Sequence, residues 1–318
     1  MLNGHIPIQF ETLLDDPLKA FDVYIKTNEE KMTLYCPKGK IVPPATKTKI
    51  VDEQLTGRLY IQKNDKVYYE DYLESILDKI LIMEDIPSLK KAVIAYDSIK
   101  RSAEDLFASP KAKKIQRYKK AIFTTIDYVT KNNSALPTLF DLANFDFNLC
   151  NHNINVGLFC MGITLELVKH KPDMKIHELI AGYFLHDIGK SRIPHQILHK
   201  IGALTPIEWK FIKKHPEEGC FILKKYGALT REAEIIVSQH HERNTGKGYP
   251  HGLYSKDIHI YAKICMLADT FDALTSKRPY KTECNSFTAL KVMKDEMGRD
   301  LDPSLFSMFV KLLSKQLT

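Results

Sequence analysis

The chain has 318 residues, 44% of them hydrophobic and 27% charged, a balance that suits a globular protein of one large domain or two ordinary ones. A formal net charge of +7 leans toward anionic partners but falls well short of a dedicated nucleic-acid binder, so DNA is not expected as a partner. The six cysteines show no paired spacing, the first residues lack a basic leader, and no apolar run approaches the ~20 residues of a membrane span; the chain reads as a cytoplasmic protein with free thiols and no membrane contact.

Residues 1 to 70 read as a small α+β module. Phe21–Ile25 and Met32–Cys36 have strand character, with a polar turn between them, and Leu13–Ala20 suits a short helix. Gly57–Gln62 and Lys66–Tyr69 flank Lys63-Asn64-Asp65 and predict a second hairpin. From Glu70 the apolar residues recur at helical spacing, as in Tyr72, Ile76, Ile80 and Met83, and residues 71–137 predict a helical linking region. Its basic stripe, Lys111, Lys113, Lys114, Arg117, Lys119 and Lys120, reads as a solvated face.

Residues 138–318 are helical by pattern, so the fold class is mainly α: an all-helical C-terminal domain behind a small α+β one. Leu149–His170, Ile176–His186, Glu232–His241 and Ile258–Thr275 predict helices. Thr205-Pro206-Ile207-Glu208 is a capping box with proline at the first helical position, predicting a helix that runs through His215.

Eleven of the twelve histidines fall in this region. His186-Asp187, His215, the doublet His240-His241 and Asp269 group as one metal site, because imidazole and carboxylate ligate divalent ions such as iron, manganese or zinc. With His152, five histidines and two aspartates exceed the needs of one tetrahedral zinc and suit two octahedral ions with positions left over. Two ions about 3.5–4 Å apart clamp the oxygens of an in-line phosphoryl displacement, which predicts phosphoester hydrolysis rather than redox chemistry.

His186-Asp187-Ile188-Gly189-Lys190, the Leu204–Pro216 run, His240-His241-Glu242, Gly246–Pro250 and Leu267–Lys281 together resemble the HD-GYP family over roughly residues 145 to 310. The resemblance implies a helical phosphodiesterase that hydrolyses cyclic di-GMP, or a related nucleotide, to the linear dinucleotide or GMP by a metal-bridging hydroxide. Carried onto this chain, one metal takes His152, His186 and Asp269 and the other His215, His240 and His241, with Asp187 bridging. Lys190 faces the scissile phosphate. Arg278 and Lys281 resemble the phosphate clamp, Asp272 sits beside them, and Gly248 and Tyr249 form a loop that contacts substrate or a protein partner. The N-terminal module is a second candidate surface for such a partner.

Two departures stand out. Trinuclear members carry a glutamate four residues before the first histidine, where this chain has Asn148, so the expectation is two divalent ions, iron first and manganese second. Asn244 and Thr245 replace the aromatic and the aspartate common before the glycine-rich loop. The competing reading is a receptor that retains metal and nucleotide without turnover, and a third is a phosphohydrolase acting on another nucleotide.

Overall fold

A computed structural model describes residues 4–13, 20–26, 31–43, 50, 58–143, 148–169, 174–198, 200, 202–276 and 284–314. The chain forms two compact units, Met1–Ser98 and Ile99–Thr318.

In the first unit, β1 (His5–Pro7), β2 (Val23–Lys26), β3 (Met32–Cys36) and β4 (Leu59–Gln62) make an antiparallel sheet of order β1-β4-β2-β3. Ile6 pairs with Ile61, Tyr24 with Tyr60 and Ile25 with Thr33. Alternation puts Val23, Ile25, Leu59 and Ile61 in the core, the pattern of a sheet with one face covered. Helix α1 (Lys66–Ile82) follows at once, with Tyr69, Tyr72, Leu73, Ile76, Leu77 and Ile80 buried. Phe21 meets the Tyr69 and Tyr72 rings edge-on at 5.4 Å each.

The hairpin expected across Lys63–Asp65 does not form: these three residues make a 3-10 turn that leads into α1, so Lys66–Tyr69 is helix rather than strand. Val67, Tyr68 and Tyr69 have strand propensity over a short window. Burial at Tyr69, Tyr72, Leu73, Ile76 and Ile80 has the 3.6-residue period, and packing overrides local preference. Strand β1 was not anticipated, and the helix expected over Leu13–Ala20 lies largely outside the described residues.

Helix α2 (Ser88–Ala108) carries the chain into the second unit, where every regular element among the described residues is a helix: α3 (Ala112–Lys131), α4 (Ala135–Asp141), α5 (Leu149–Val168), α6 (Ile176–Phe184), α7 (His195–Leu198), α8 (Pro206–Lys213), α9 (His215–Lys225), α10 (Arg231–Gln239), α11 (Ile260–Thr275), α12 (Ser286–Met297) and α13 (Pro303–Ser314). Helix α5 is the central rod. It is buried continuously from Asn151 to Thr164, and its Phe159 stacks on Phe140 of α4 and meets Phe271 of α11 and Phe309 of α13 edge-on. A helix buried on all sides must be apolar all round, so the polar residues it does bury have a specific use.

The capping box at Thr205 forms as expected, with Thr205 Oγ1 accepting from the Glu208 amide and Glu208 returning to the Thr205 amide. The helix it starts stops at Lys213, however. Lys214 turns the chain, and His215 opens α9. All six cysteines are free thiols. Among the described residues, no helix is long and apolar enough to cross a membrane.

Candidate metal centre and its cavity

The site is built where ends of α6, α9 and α10 meet the first turn of α5 and the middle of α11. His186 and Asp187 follow the last turn of α6 and precede a 3-10 segment at Ile188–Arg192. Gly189 in that segment lies so close to α9 that a Cβ would stand 1.9 Å from the His215 carbonyl oxygen. The glycine is therefore what lets the His186-Asp187 turn and the first residue of α9 come together.

Four of the histidines are oriented in one way. His186 Nδ1 donates to the Tyr183 carbonyl at 2.7 Å, His215 Nδ1 to that of Ile212 at 2.7 Å, and His240 Nδ1 to that of Val237 at 3.0 Å. His152 Nδ1 donates to Asp272 Oδ2 at 2.7 Å. These partners accept only, so each Nδ1 carries a hydrogen, and in the neutral ring each Nε2 presents a lone pair toward the centre.

At the centre of these rings lies the buried Asp187. Its Oδ1 is 3.1 Å from His215 Nε2 and 3.6 Å from His240 Nε2, while its Oδ2 is 3.3 Å from His152 Nε2 and 3.5 Å from His186 Nε2. Lys190 Nζ donates to the same Oδ2. The two oxygens thus serve two groups, Asp187 with His215, His240 and His241, and Asp187 with His152 and His186. Asp269 stands between them, its Oδ1 3.2 Å from His152 Nε2 and its Oδ2 3.6 Å from His241 Nδ1.

This donor set fits divalent cations. His215 Nε2 and His240 Nε2 face each other at 3.1 Å with both hydrogens committed to Nδ1, so two lone pairs oppose one another. His186 Nε2 and Asp187 Oδ1 are buried without a hydrogen-bond donor. Lone pairs held this close and kept from water are costly unless a cation lies between them. Burial, reinforced by neighbouring imidazoles, pushes His186 down to about 3 and also lowers His215 and His241, which keeps these rings neutral and ready to ligate. Burial opposes the charge on Asp187, yet Lys190 and the surrounding imidazoles hold its carboxyl well below the usual range. Burial likewise disfavours an imidazolium at His152, but Asp187, Asp269 and Asp272 overcome it and raise that group well above the ordinary histidine value.

Asp272 has a different task from the substrate contact expected of it. It is fully buried, and its oxygens receive His152 Nδ1, Asn155 Nδ2 at 2.7 Å and Ser276 Oγ at 3.1 Å. Two of the buried polar residues of α5, His152 and Asn155, are explained by this one carboxylate. Asn148 caps α5, its side chain accepting from the Asn151 amide at 2.8 Å, and it lies exposed. Arg278 and Lys281 lie outside the described residues.

A cavity of about 890 Å³ opens over the cluster. His152, His241 and Asp269 reach it from the metal side, with Lys190 beside them. Tyr249 lines it too, stacked on His241 with ring centres 4.6 Å apart. Gly248 is not a lining residue; it packs against the Glu242 and Arg243 backbone, where a Cβ would come within 2.4 Å. Sequence reasoning did not assign other residues of the lining, among them Trp209 (46% exposed), Lys200 and Arg243. It also gave no role to Glu242, whose buried carboxylate accepts the His251 and Leu253 amides and so ties the glycine-rich loop to the end of α10. A glutamate directly after a histidine doublet was the available signal.

The arrangement of helices and clustered His/Asp side chains is that of an HD domain, and the HD-domain family model matches residues 160–305. The match covers a little under half of the chain. It is 33% identical over 183 residues to a cyclic di-GMP phosphodiesterase of Pseudomonas aeruginosa, covering 58% of this chain and 44% of that one. It is 33% identical over 215 residues to a cyclic di-GMP phosphodiesterase of Thermotoga maritima, covering 64% and 57%. A 3'3'-cGAMP-specific phosphodiesterase of Vibrio cholerae is 39% identical over 128 residues, 40% of this chain and 24% of that one. The chain thus spans about half the length of the first two relatives. A structure of an HDG"Y"P protein from Bdellovibrio bacteriovorus shares the fold, with a TM-score of 0.67 at 23% identity, over 98% of this chain and 99% of that one.

Proposed function

We propose that this chain is a metal-dependent phosphodiesterase that opens cyclic di-GMP to the linear dinucleotide or GMP. The observation that carries the reading is the Asp187 carboxylate, whose two oxygens each face a separate group of histidines at 3.1–3.6 Å under a cavity of about 890 Å³. The relatives named for cyclic di-GMP and 3'3'-cGAMP support the substrate class.

In this reading His152, His186 and Asp269 hold one ion, His215, His240 and His241 the other, and Asp187 is shared. Iron is the first choice of metal and manganese the second. The exposed helix-capping role of Asn148 favours two ions over three. Two divalent ions at such a centre supply Lewis acidity and activate water near neutral pH. The protein's own part is orientation and charge. Asp272 aims His152, and the Tyr183, Ile212 and Val237 carbonyls aim the other rings. Lys190 lines the cavity beside Asp187, where its ammonium can offset negative charge growing on the phosphorus oxygens. Trp209 offers a purine a half-exposed stacking face in the cavity lining. Arg278 and Lys281 belong to the proposal as a phosphate clamp, and the Gly248-Tyr249-Pro250 loop and N-terminal unit as surfaces for a protein partner.

The test is product analysis with anaerobically purified, metal-loaded protein and cyclic di-GMP. We expect linear dinucleotide or GMP, loss of activity with a chelator, and a fall in kcat of about 10²–10³-fold in Lys190→Ala. Tight binding of an uncut ligand by the metal-loaded wild type would overturn the enzyme reading in favour of a receptor.

A further inference from the structure

Besides Lys190, two cations line the cavity among the described residues, and they differ in how they are paired. Lys190 is bonded to Asp187, and Lys200 holds both oxygens of Glu208 at 2.7 and 2.9 Å. Arg243 is half-buried, and its guanidinium has no carboxylate partner among the described residues. Nη1 donates to the Thr270 hydroxyl at 3.2 Å, and the neighbouring Glu242 is committed to the loop amides. Thr270 in turn donates to the Met266 carbonyl at 2.7 Å, so its oxygen is held as an acceptor and fixes the arginine in place. A positioned, partly desolvated guanidinium without an anion is a site short of one.

Its placement is informative as well. Thr270 follows Asp269 on α11, and adjacent helical residues point about 100° apart, so the arginine stands to the side of the metal cluster rather than over it. A cyclic dinucleotide carries two phosphodiesters across one ring. When one lies at the metals and Lys190, the other must lie elsewhere in the same cavity with its negative charge.

We propose that Arg243, positioned by Thr270, binds the phosphodiester of the cyclic dinucleotide that is not being cut. The assignment rests on the phosphodiesterase reading and adds to it a second anion subsite. A guanidinium fork matches two phosphate oxygens, a match that a lysine ammonium reproduces only as a point charge.

Steady-state kinetics of the metal-loaded full chain test this with cyclic di-GMP and with bis(p-nitrophenyl) phosphate, a diester that has no second phosphate. Arg243→Gln should raise KM for cyclic di-GMP by about tenfold or more and change kcat by less than about threefold. The loss of kcat/KM on the single-phosphate diester should be smaller by about an order of magnitude. Arg243→Lys should recover part of the loss, Thr270→Val should show a weaker form of it, and inhibition by cyclic di-AMP should weaken by the same factor as cyclic di-GMP binding. Equal losses on both substrates would overturn the proposal, since the arginine would then act at the cut phosphate or on the fold. A weakening confined to the guanine ligand would overturn it too, since the arginine would be reading a base. Should the wild type cleave the simple diester but not cyclic di-GMP, the phosphodiesterase reading itself fails, a result separable from both others.

Discussion

Asp187 and Asp272 are both buried aspartates that meet His152, and the atoms they meet separate their roles. Asp187 faces Nε2, the lone-pair side, while Asp272 faces Nδ1, the hydrogen side. The first is thus a candidate ligand and the second a positioning residue. A carboxylate behind a ligating imidazole fixes its tautomer and raises its basicity, and loss of such a partner costs about 10–100-fold in metal affinity. Asp272→Asn is therefore expected to weaken metal binding by that factor, as measured by chelator competition, with KM for substrate little changed in the fully loaded protein. A rise in KM at full metal loading would return Asp272 to the substrate contacts. From the sequence the two aspartates at 269 and 272 look alike, one helical turn apart, and only their neighbours distinguish them. Tyr249 was legible as a loop aromatic, but its stacking on His241 depends on a loop held by Glu242.

Helix ends deliver most of the candidate ligands. His186, His215 and His240 sit where α6 stops, α9 starts and α10 stops, and a side chain at a helix end can reach back to a carbonyl of the last turn that lacks the usual helical partner four residues on. The break at Lys214 matters for this reason. Four residues after Ile212 stands Pro216, which has no N–H to offer a continuing helix, so the Ile212 carbonyl is left to accept from His215 Nδ1. The 3-10 segment opposite tolerates no added bulk. Gly189→Ala would put a Cβ on the His215 carbonyl, and relieving that overlap costs about 3 kcal/mol or more. Urea denaturation should show that loss, and metal content should fall with it because His215 moves. A variant with wild-type stability and metal content would refute the close-packing account.

Over the whole molecule, the metal-free protein gathers buried histidines that resist protonation. His186, His215 and His241 have folded values below the ordinary 6.5 because of burial, so their contribution is complete above that pH and is lost as pH falls through the window down to about 3 for His186. Each contributes a slope of up to about 1.4 kcal/mol per pH unit. His152 is raised, so its contribution is complete below about 6.5 and is lost as pH rises toward its folded value. Stability of the metal-free protein should therefore peak near neutral pH and fall on both sides, a profile that denaturant unfolding at pH 5, 6.5 and 8 would check. A monotonic rise from pH 5 to 8 would contradict the raised value for His152. Metal should remove the alkaline limb and steepen the acid one, since an ion keeps the ligating rings neutral in the folded state and protons must displace it.

The sequence by itself determined the class of fold and pointed to the kind of chemistry its candidate ligands could carry. Clustered histidines and aspartates, a capping box and helical apolar spacing are local signals, and they named the candidate ligands and the helices that carry them. Tertiary structure decided everything that depends on which atom faces which. It made a helix of Lys66–Tyr69, because burial over several turns outweighs the strand preference of a few residues. It set Asp272 behind His152 rather than against substrate, and it left Arg243 at the cavity wall without a carboxylate. Spacing along a chain gives the face of a helix; the partner across that face is chosen by packing between segments far apart in sequence, and no local pattern records it.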